Sequence, residues 1–258
     1  MKTIYPAQQG FTLIELAMVL FILGLLLSSF LAPLAARVEQ QERNNTQIQL
    51  DEIEEILYGH VLQNNYLPCP DCPTSIWSVG CIAVNAADPT TINDGVEDMF
   101  PPANTTCATE VGNLPWVTLG VKSTDEWNNI FTYRVDDTFA DRNNATTDGT
   151  GCETGSATLN VSFSLCSDGN IDVLDSDNGN DVATNIPAIV VSHGKNWSDN
   201  NPSDDEAENY DDGGAGDTDQ EFVDKDYSQE SGSEFDDMLI WISPYVLKTM
   251  AVKSGILP

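Results

Sequence analysis

Positive charge is scarce in this chain. Its 258 residues carry 10 Lys plus Arg against 41 Asp plus Glu, a formal net charge of −31. A nucleic-acid partner requires a basic face to neutralise phosphates, so the composition argues against DNA and RNA as partners. Histidine is scarcer still, with only His60 and His193, and general-base chemistry at neutral pH is poorly supplied. No GxSxG elbow, no HExxH and no glycine-rich phosphate loop occurs. Ser192 and His193 adjoin in sequence, but a catalytic dyad is made by spatial arrangement. The expected protein is not an enzyme.

Against that background one apolar run stands out. From Phe11 to Leu34 the only charge is Glu15. As a helix rising about 1.5 Å per residue, the run covers a hydrocarbon core of roughly 30 Å. A lone carboxylate in lipid costs at least ~2.5–3.5 kcal/mol, so Glu15 requires a function and a partner, for which an amine is the obvious candidate. An ordinary secretory signal has a shorter apolar stretch with its cleavage site after it. A plain single-span anchor would explain neither Glu15 nor the glycine placed directly before the run.

The polar leader Met1 to Gly10, followed by Phe11-Thr12-Leu13-Ile14-Glu15-Leu16 and the apolar helix, resembles the processing motif of type IV prepilins and type II secretion pseudopilins. The resemblance implies cleavage after Gly10 by a prepilin peptidase and N-methylation of Phe11. It also implies that Glu15 neutralises the free amine of a neighbouring subunit during assembly. An ammonium and a carboxylate that meet in the bilayer relieve each other's desolvation cost.

The organisation expected is residues 1–10 as leader, 11–36 as transmembrane and filament-core helix, 37–66 as its amphipathic continuation, and 67–258 as an exported domain. Leu50, Ile53, Leu57 and Val61 recur at helical spacing among Asp51, Glu52, Glu54 and Glu55. A helix from Phe11 to about Gln63 would be on the order of 80 Å long. Pro33 should kink it, and Leu67-Pro68-Cys69-Pro70 should end it. Residues 68–115 read as a cystine-stapled loop region. Strands are expected at Ile130–Val135, Ala157–Leu165, Ile186–Ser192 and Met238–Ile242. Ser243-Pro244 reads as the start of a short helix running to about Lys253, with Gly255 as its stop. The fold class is α+β and pilin-like, a long N-terminal helix packed on an antiparallel sheet with disulfide-stapled loops.

Six cysteines, Cys69, Cys72, Cys81, Cys107, Cys152 and Cys166, all follow the apolar run. Even parity in an exported domain favours disulfides. Cys69-Pro-Asp-Cys72 has the spacing of a redox or zinc half-site, but no second CxxC accompanies it. The simplest pairing is a local Cys152–Cys166 bridge with two more among the other four.

Residues 198–234 are poor in apolar side chains and dense in Asp, Glu, Gly, Ser and Asn. Strands are expected on both sides, which makes this a loop within the domain, and bound metal is a usual means of ordering such a loop. Two fragments resemble the major-pseudopilin pattern: Asp125 to Arg134, like the segment preceding that family's first strand, and Val191 to Asn196 with Asn209 to Asp212, like its calcium-binding loop. The resemblance implies calcium held by carbonyls and by the side chains of Asn196 and Asp211; the carboxylates and amides that the loop itself supplies make Asn196, Asp199, Asp205, Asp211 and Asp212 the candidate ligands. Asp168 to Asp172 and Asp175 to Asp181 also alternate oxygen ligands, but neither matches the EF-hand pattern, and solvated turns are the simpler reading.

The chain is expected to be a structural subunit of a type IV pilus-like or type II secretion pseudopilus filament. The alternative is a minor pilin acting as a tip adhesin or binding module. The partners implied are other pilin or pseudopilin subunits, the prepilin peptidase and an inner-membrane assembly platform. The location implied is the inner membrane as a single-pass precursor, then a periplasmic or extracellular filament.

Overall fold

A computed structural model describes residues 12–74, 79–103, 105–142, 161–196, 203–210, 220–230 and 232–257, with backbone alone at 27–33, 35 and 204. Met1–Asn44 and Asn45–Pro258 form separate compact units. Helix α1 (Leu13–Asn64) begins in the first and ends in the second, and it is continuous through position 33.

In the second unit, α1 commits one face to the core. Leu50, Ile53, Leu57 and Val61 are all buried, and they share a cluster with Phe131, Tyr133, Val190 and Ile240 of the sheet. The helix ends at Asn64, just before the Leu67-Pro68-Cys69-Pro70 segment expected to end it. Asn65 adopts a left-handed φ of 72° and donates its N–H to the Val61 carbonyl, a left-handed helix ending that Asn tolerates.

The segment from Pro68 to Pro115 is more structured than its composition indicates. It contains α2 (Val79–Ala87) and the short strand β1 (Val111–Asn113), and bridges Cys69–Cys107 and Cys72–Cys81 close it. The helical turn α3 (Trp116–Leu119) leads to β2 (Thr132–Val135), and the turn α4 (Asp137–Ala140) follows directly.

The strand expected over Ala157–Leu165 does not form in its described part, 161–165. Val161 and Phe163 are nevertheless buried. Phe163 stacks on Phe139 at 5.2 Å, and Ser162 donates its N–H to the Asn65 carbonyl and its hydroxyl to the Phe139 carbonyl. The alternation of apolar residues thus comes from a loop that plugs the end of α1 instead of from pairing in a sheet.

Beyond it run β3 (Ile171–Leu174), β4 (Asp181–Ile186) and β5 (Ala188–Ser192). The acidic segment contributes α5 (Asp204–Glu208) and β6 (Glu221–Val223), before β7 (Met238–Trp241) and α6 (Pro244–Ser254) close the fold. Two sheets result: an antiparallel one in the order β1-β2-β5-β7, and a smaller one in the order β4-β3-β6 whose β3 and β6 run parallel.

Alternation on the central strands explains the layering. Ala188, Val190, Met238 and Ile240 face the α1 cluster, whereas Ile189, Val191 and Leu239 join Ile171, Val173, Ile186, Phe222 and Val223 in a second core. Every residue of β5 is buried, because α1 covers one face of the main sheet and the small sheet covers the other. An uninterrupted apolar strand suits that position. The start of α6 is tied to α1 through the Tyr58 hydroxyl, which accepts the Ser243 N–H at 3.0 Å, and burial pushes that phenol up to about 12.

Candidate functional site

Two regions carry the residues singled out in the sequence. The first is the start of α1. Thr12 is its N-cap: the Thr12 hydroxyl accepts the Glu15 N–H at 3.3 Å, and Glu15 Oε2 accepts both the Thr12 N–H and hydroxyl at 2.8 Å. This is a capping box, which satisfies donors that the first helical turn would otherwise leave unpaired. The same glutamate that charges the apolar run therefore starts the helix. From Leu13 to Leu26 every large apolar side chain is exposed, Leu13 by 88 %. Among the described residues no helix is long and apolar enough to cross a membrane. Gly10 and Phe11 lie outside the described residues.

The second region lies where β5 leaves the sheet. Asp125 is buried and organises the turn before β2: its Oδ1 accepts the N–H groups of Trp127 and Asn129 at 2.9 and 2.8 Å, and its Oδ2 accepts the Ser192 hydroxyl at 2.8 Å. Burial pushes its carboxyl up while these hydrogen bonds pull it back. The segment expected to precede the first strand of the sheet in fact follows β1 and leads into the second. His193 Nε2 meets the Thr132 hydroxyl at 2.8 Å, and its Nδ1 lies 3.9 Å from Asp237 Oδ1. Burial lowers the imidazole to about 3 and raises Asp237 well above the usual carboxylate range.

The five calcium candidates are not brought together as a set. Asn196 donates its side-chain amide to Glu206 Oε1 at 2.9 Å. Asp205 is held by Lys225 at 2.6 Å and accepts the Asp177 N–H, which also ties the acidic loop to the Asp175–Asp181 turn. Asp199, Asp211 and Asp212 lie outside the described residues. No three His, Cys, Asp or Glu side chains among the described residues are grouped to hold a metal ion.

Sequence reasoning missed the groups that surround Asn196. Asp236 Oδ2 accepts the N–H groups of Lys195 and Asn196, and Glu206 Oε1 accepts the Asp236 N–H as well as the Asn196 amide. Asn209 is fully buried, donates to Asp237 and to the Val223 carbonyl, and accepts the Val223 N–H. Ser203 followed three residues later by Glu206 is a capping box, and the structure forms it at the start of α5. That pattern was legible inside the acidic run and marked order there.

Cys69 and Cys72 bond to Cys107 and Cys81, not to each other. Cys166 is disulfide-bonded as well; the expected pairing with Cys152 lies outside the described residues.

Residues 5–31 match the family profile of the prokaryotic N-terminal methylation motif. The chain thus carries the signature of type IV pilins and pseudopilins, which implies in general a membrane-anchored precursor, processing by a prepilin peptidase and assembly with other pilin subunits. No curated protein and no solved structure matches the chain.

Proposed function

We propose that this chain is a structural subunit of a type IV pilus-like or type II secretion pseudopilus filament. In this reading it is inserted in the inner membrane as a single-pass precursor, cleaved after Gly10, methylated on Phe11 and assembled through α1. One observation carries the reading: a helix apolar on every side and exposed from Leu13 to Leu26, with Glu15 its single charge. Such a surface is stable only against lipid or other helices, and packing is the function it can serve.

Glu15 would act twice, as the helix cap and as the counter-charge to a neighbouring subunit's terminal amine. Glu15→Gln separates the two roles, because Gln also serves at the third position of a capping box but carries no charge. The variant should insert and be cleaved normally yet fail to form filaments in cells lacking the native subunit. Wild-type filament levels with Glu15→Gln would end the charge-pairing proposal. Mass spectrometry of the filament should find methylated Phe11 at the N-terminus; an intact Met1 leader there would end the processing proposal.

For the acidic loop, calcium is proposed as the ordering ion, held by oxygens from Asn196, Asp199, Asp205, Asp211 and Asp212. The gathering of Glu206 and Asp236 around residues 195 and 196 supports a role for the turn, and Asp205 would have to release Lys225 to contribute. Calcium calorimetry with Asp211→Asn/Asp212→Asn tests this, loss of a binding event being expected.

A further inference from the structure

We propose that the Asp71 carboxyl is a pH-sensitive latch: while it carries its proton it holds the turn at residues 93–98 against the segment that follows α1, and losing the proton lets that turn open. The device lies outside the acidic loop at residues 198–234 and does not depend on the filament reading.

One oxygen is decisive. Asp71 has no exposed surface. Its Oδ2 accepts the Gly95 N–H at 3.0 Å, whereas its Oδ1 is buried with no hydrogen-bond partner. None of the ion pairs among the described residues involves Asp71. A charge on that carboxyl would be neither hydrated nor paired, which costs far more than a neutral carboxyl with one unmet O–H.

The surroundings offer no counter-charge. Helix α2, strand β1 and the turn α3 carry no charged side chain, and the charged groups that act on Asp71 from the turn, Asp98 and Asp94, are both negative. Asp98 is itself buried, its Oδ2 accepting the Cys72 N–H at 2.8 Å, and Asp94 Oδ1 accepts the Val96 N–H at 2.9 Å. Glu97 is turned to Arg142 and to the Cys69 N–H. Burial pushes the Asp71 carboxyl up to about 7, opposed by the N–H groups of Gly95 and Asn93 and reinforced by Asp98 and Asp94. Burial also pushes Asp98 up, to about 6.

Gly95 couples the carboxyl to its neighbours. It has a φ of 80°, and a Cβ there would run into the Trp116 ring, so only glycine fits between that indole and Asp71. Its carbonyl accepts the N–H groups of Val117 and Thr118 at 2.8 and 3.2 Å, which ties α3 to whatever Asp71 holds. Asp71 itself is anchored on the other side. It exchanges two backbone hydrogen bonds with Asn113 at 3.0 and 2.9 Å, and the Cys72–Cys81 bridge adjoins it. The turn is the part that can lift to admit water to Oδ1. Its further ties, the Asn93 N–H to the Cys72 carbonyl and the Asn113 amide to Asn93 Oδ1, are neutral and do not change with pH.

Linkage gives the direction. The closed form takes up its proton near pH 7 and an open, hydrated Asp71 near 3.8. Between those values the closed form binds a proton that the open form does not, so opening becomes about tenfold easier per pH unit and levels off above about pH 7. Acid tightens the latch and neutral pH loosens it.

Hydrogen exchange of the full chain in detergent micelles tests this, with the protection of the 93–98 amides read against their intrinsic rates and the buried β5 amides as reference. From about pH 6 to about pH 7, above the midpoint of Asp98, protection in wild type should fall about fivefold. Asp71→Asn keeps an oxygen for the Gly95 N–H and cannot ionise, so its protection should stay level over that interval. Asp98→Asn keeps an oxygen for the Cys72 N–H but removes a repelling charge, so the fall should move to lower pH. Level protection in wild type, or a fall that Asp71→Asn retains, would overturn the proposal. If Asp71→Asn does not fold, Asp98→Asn decides, and a fall left at the same pH in that variant would overturn the proposal equally.

Discussion

His193 is held neutral by its surroundings, and this fixes the sign of its contribution to stability. Burial depresses the imidazole to about 3 against about 6.5 in an unfolded chain. The acid that faces it, Asp237 at 3.9 Å, is itself raised by burial; Tyr210 lies against the ring and Thr132 bonds Nε2. Between pH 6.5 and 3 the unfolded chain binds a proton at this position and the fold does not, so this part of the stability is complete above pH 6.5 and is lost as pH falls toward 3. Asp237 acts in the opposite direction above about 3.8, where the fold holds a proton that the unfolded chain releases. A difference measurement isolates the histidine. The advantage of wild type over His193→Gln in melting temperature at about pH 7.5 should narrow steadily below about pH 6.5. A constant advantage down to about pH 4 would mean that the folded imidazole titrates normally.

Elements were legible where the rule is local. Ser243-Pro244 and Gly255 mark the ends of α6 in sequence, and in the structure Ser243 caps Val246 while Gly255 takes a φ of 77° and donates to Ala251 and Val252. Ser243→Ala should cost about 1 kcal/mol in thermal denaturation. The stripe Leu50, Ile53, Leu57, Val61 was equally readable, and Leu57→Ala in its fully buried centre should cost about 2–5 kcal/mol, whereas Ile48→Ala, on the exposed side, should cost far less. What escaped the sequence was pairing at a distance. β3 and β6 lie far apart in the chain and meet in parallel, and neither Ile171–Leu174 nor Glu221–Val223 is long enough to declare itself. The alternation of Val161 and Phe163 misled for the same reason, since period-2 burial follows from whatever surface is at hand, and here that surface is the end of α1 and Phe139. At the candidate sites, Cys69-Pro-Asp-Cys72 revealed that bridges exist but not that each cysteine would bond to a different segment. Asp71, inside the same motif, gave no sign of burial, because its surroundings are supplied by residues 93–98 and 113.

For the whole molecule, cross-links and like charge oppose each other. In the chain-entropy account, the bridge across a separation of 38 residues, Cys69–Cys107, stabilises by roughly 4 kcal/mol, and Cys72–Cys81, across 9, by roughly 3 kcal/mol. Paired Cys→Ser variants melted without reductant should fall in that order. Against this stands a net charge of −31, whose self-repulsion disfavours the compact state. Raising NaCl from about 0.01 M to about 1 M shortens the Debye length from roughly 30 Å to roughly 3 Å. Exposed ion pairs such as Lys122–Glu126 lose little because pairs of that kind contribute at most about 1 kcal/mol. The melting temperature should therefore rise with salt, against the trend for a protein held together by surface ion pairs. Calcium should do more than screen. At matched ionic strength it should raise the melting temperature beyond NaCl and beyond magnesium, since an ion bound only by the fold adds its binding free energy to stability. Asp211→Asn/Asp212→Asn should remove that excess. Coincident curves for calcium, magnesium and sodium at equal ionic strength would leave screening as the whole effect and remove the calcium proposed for the acidic loop.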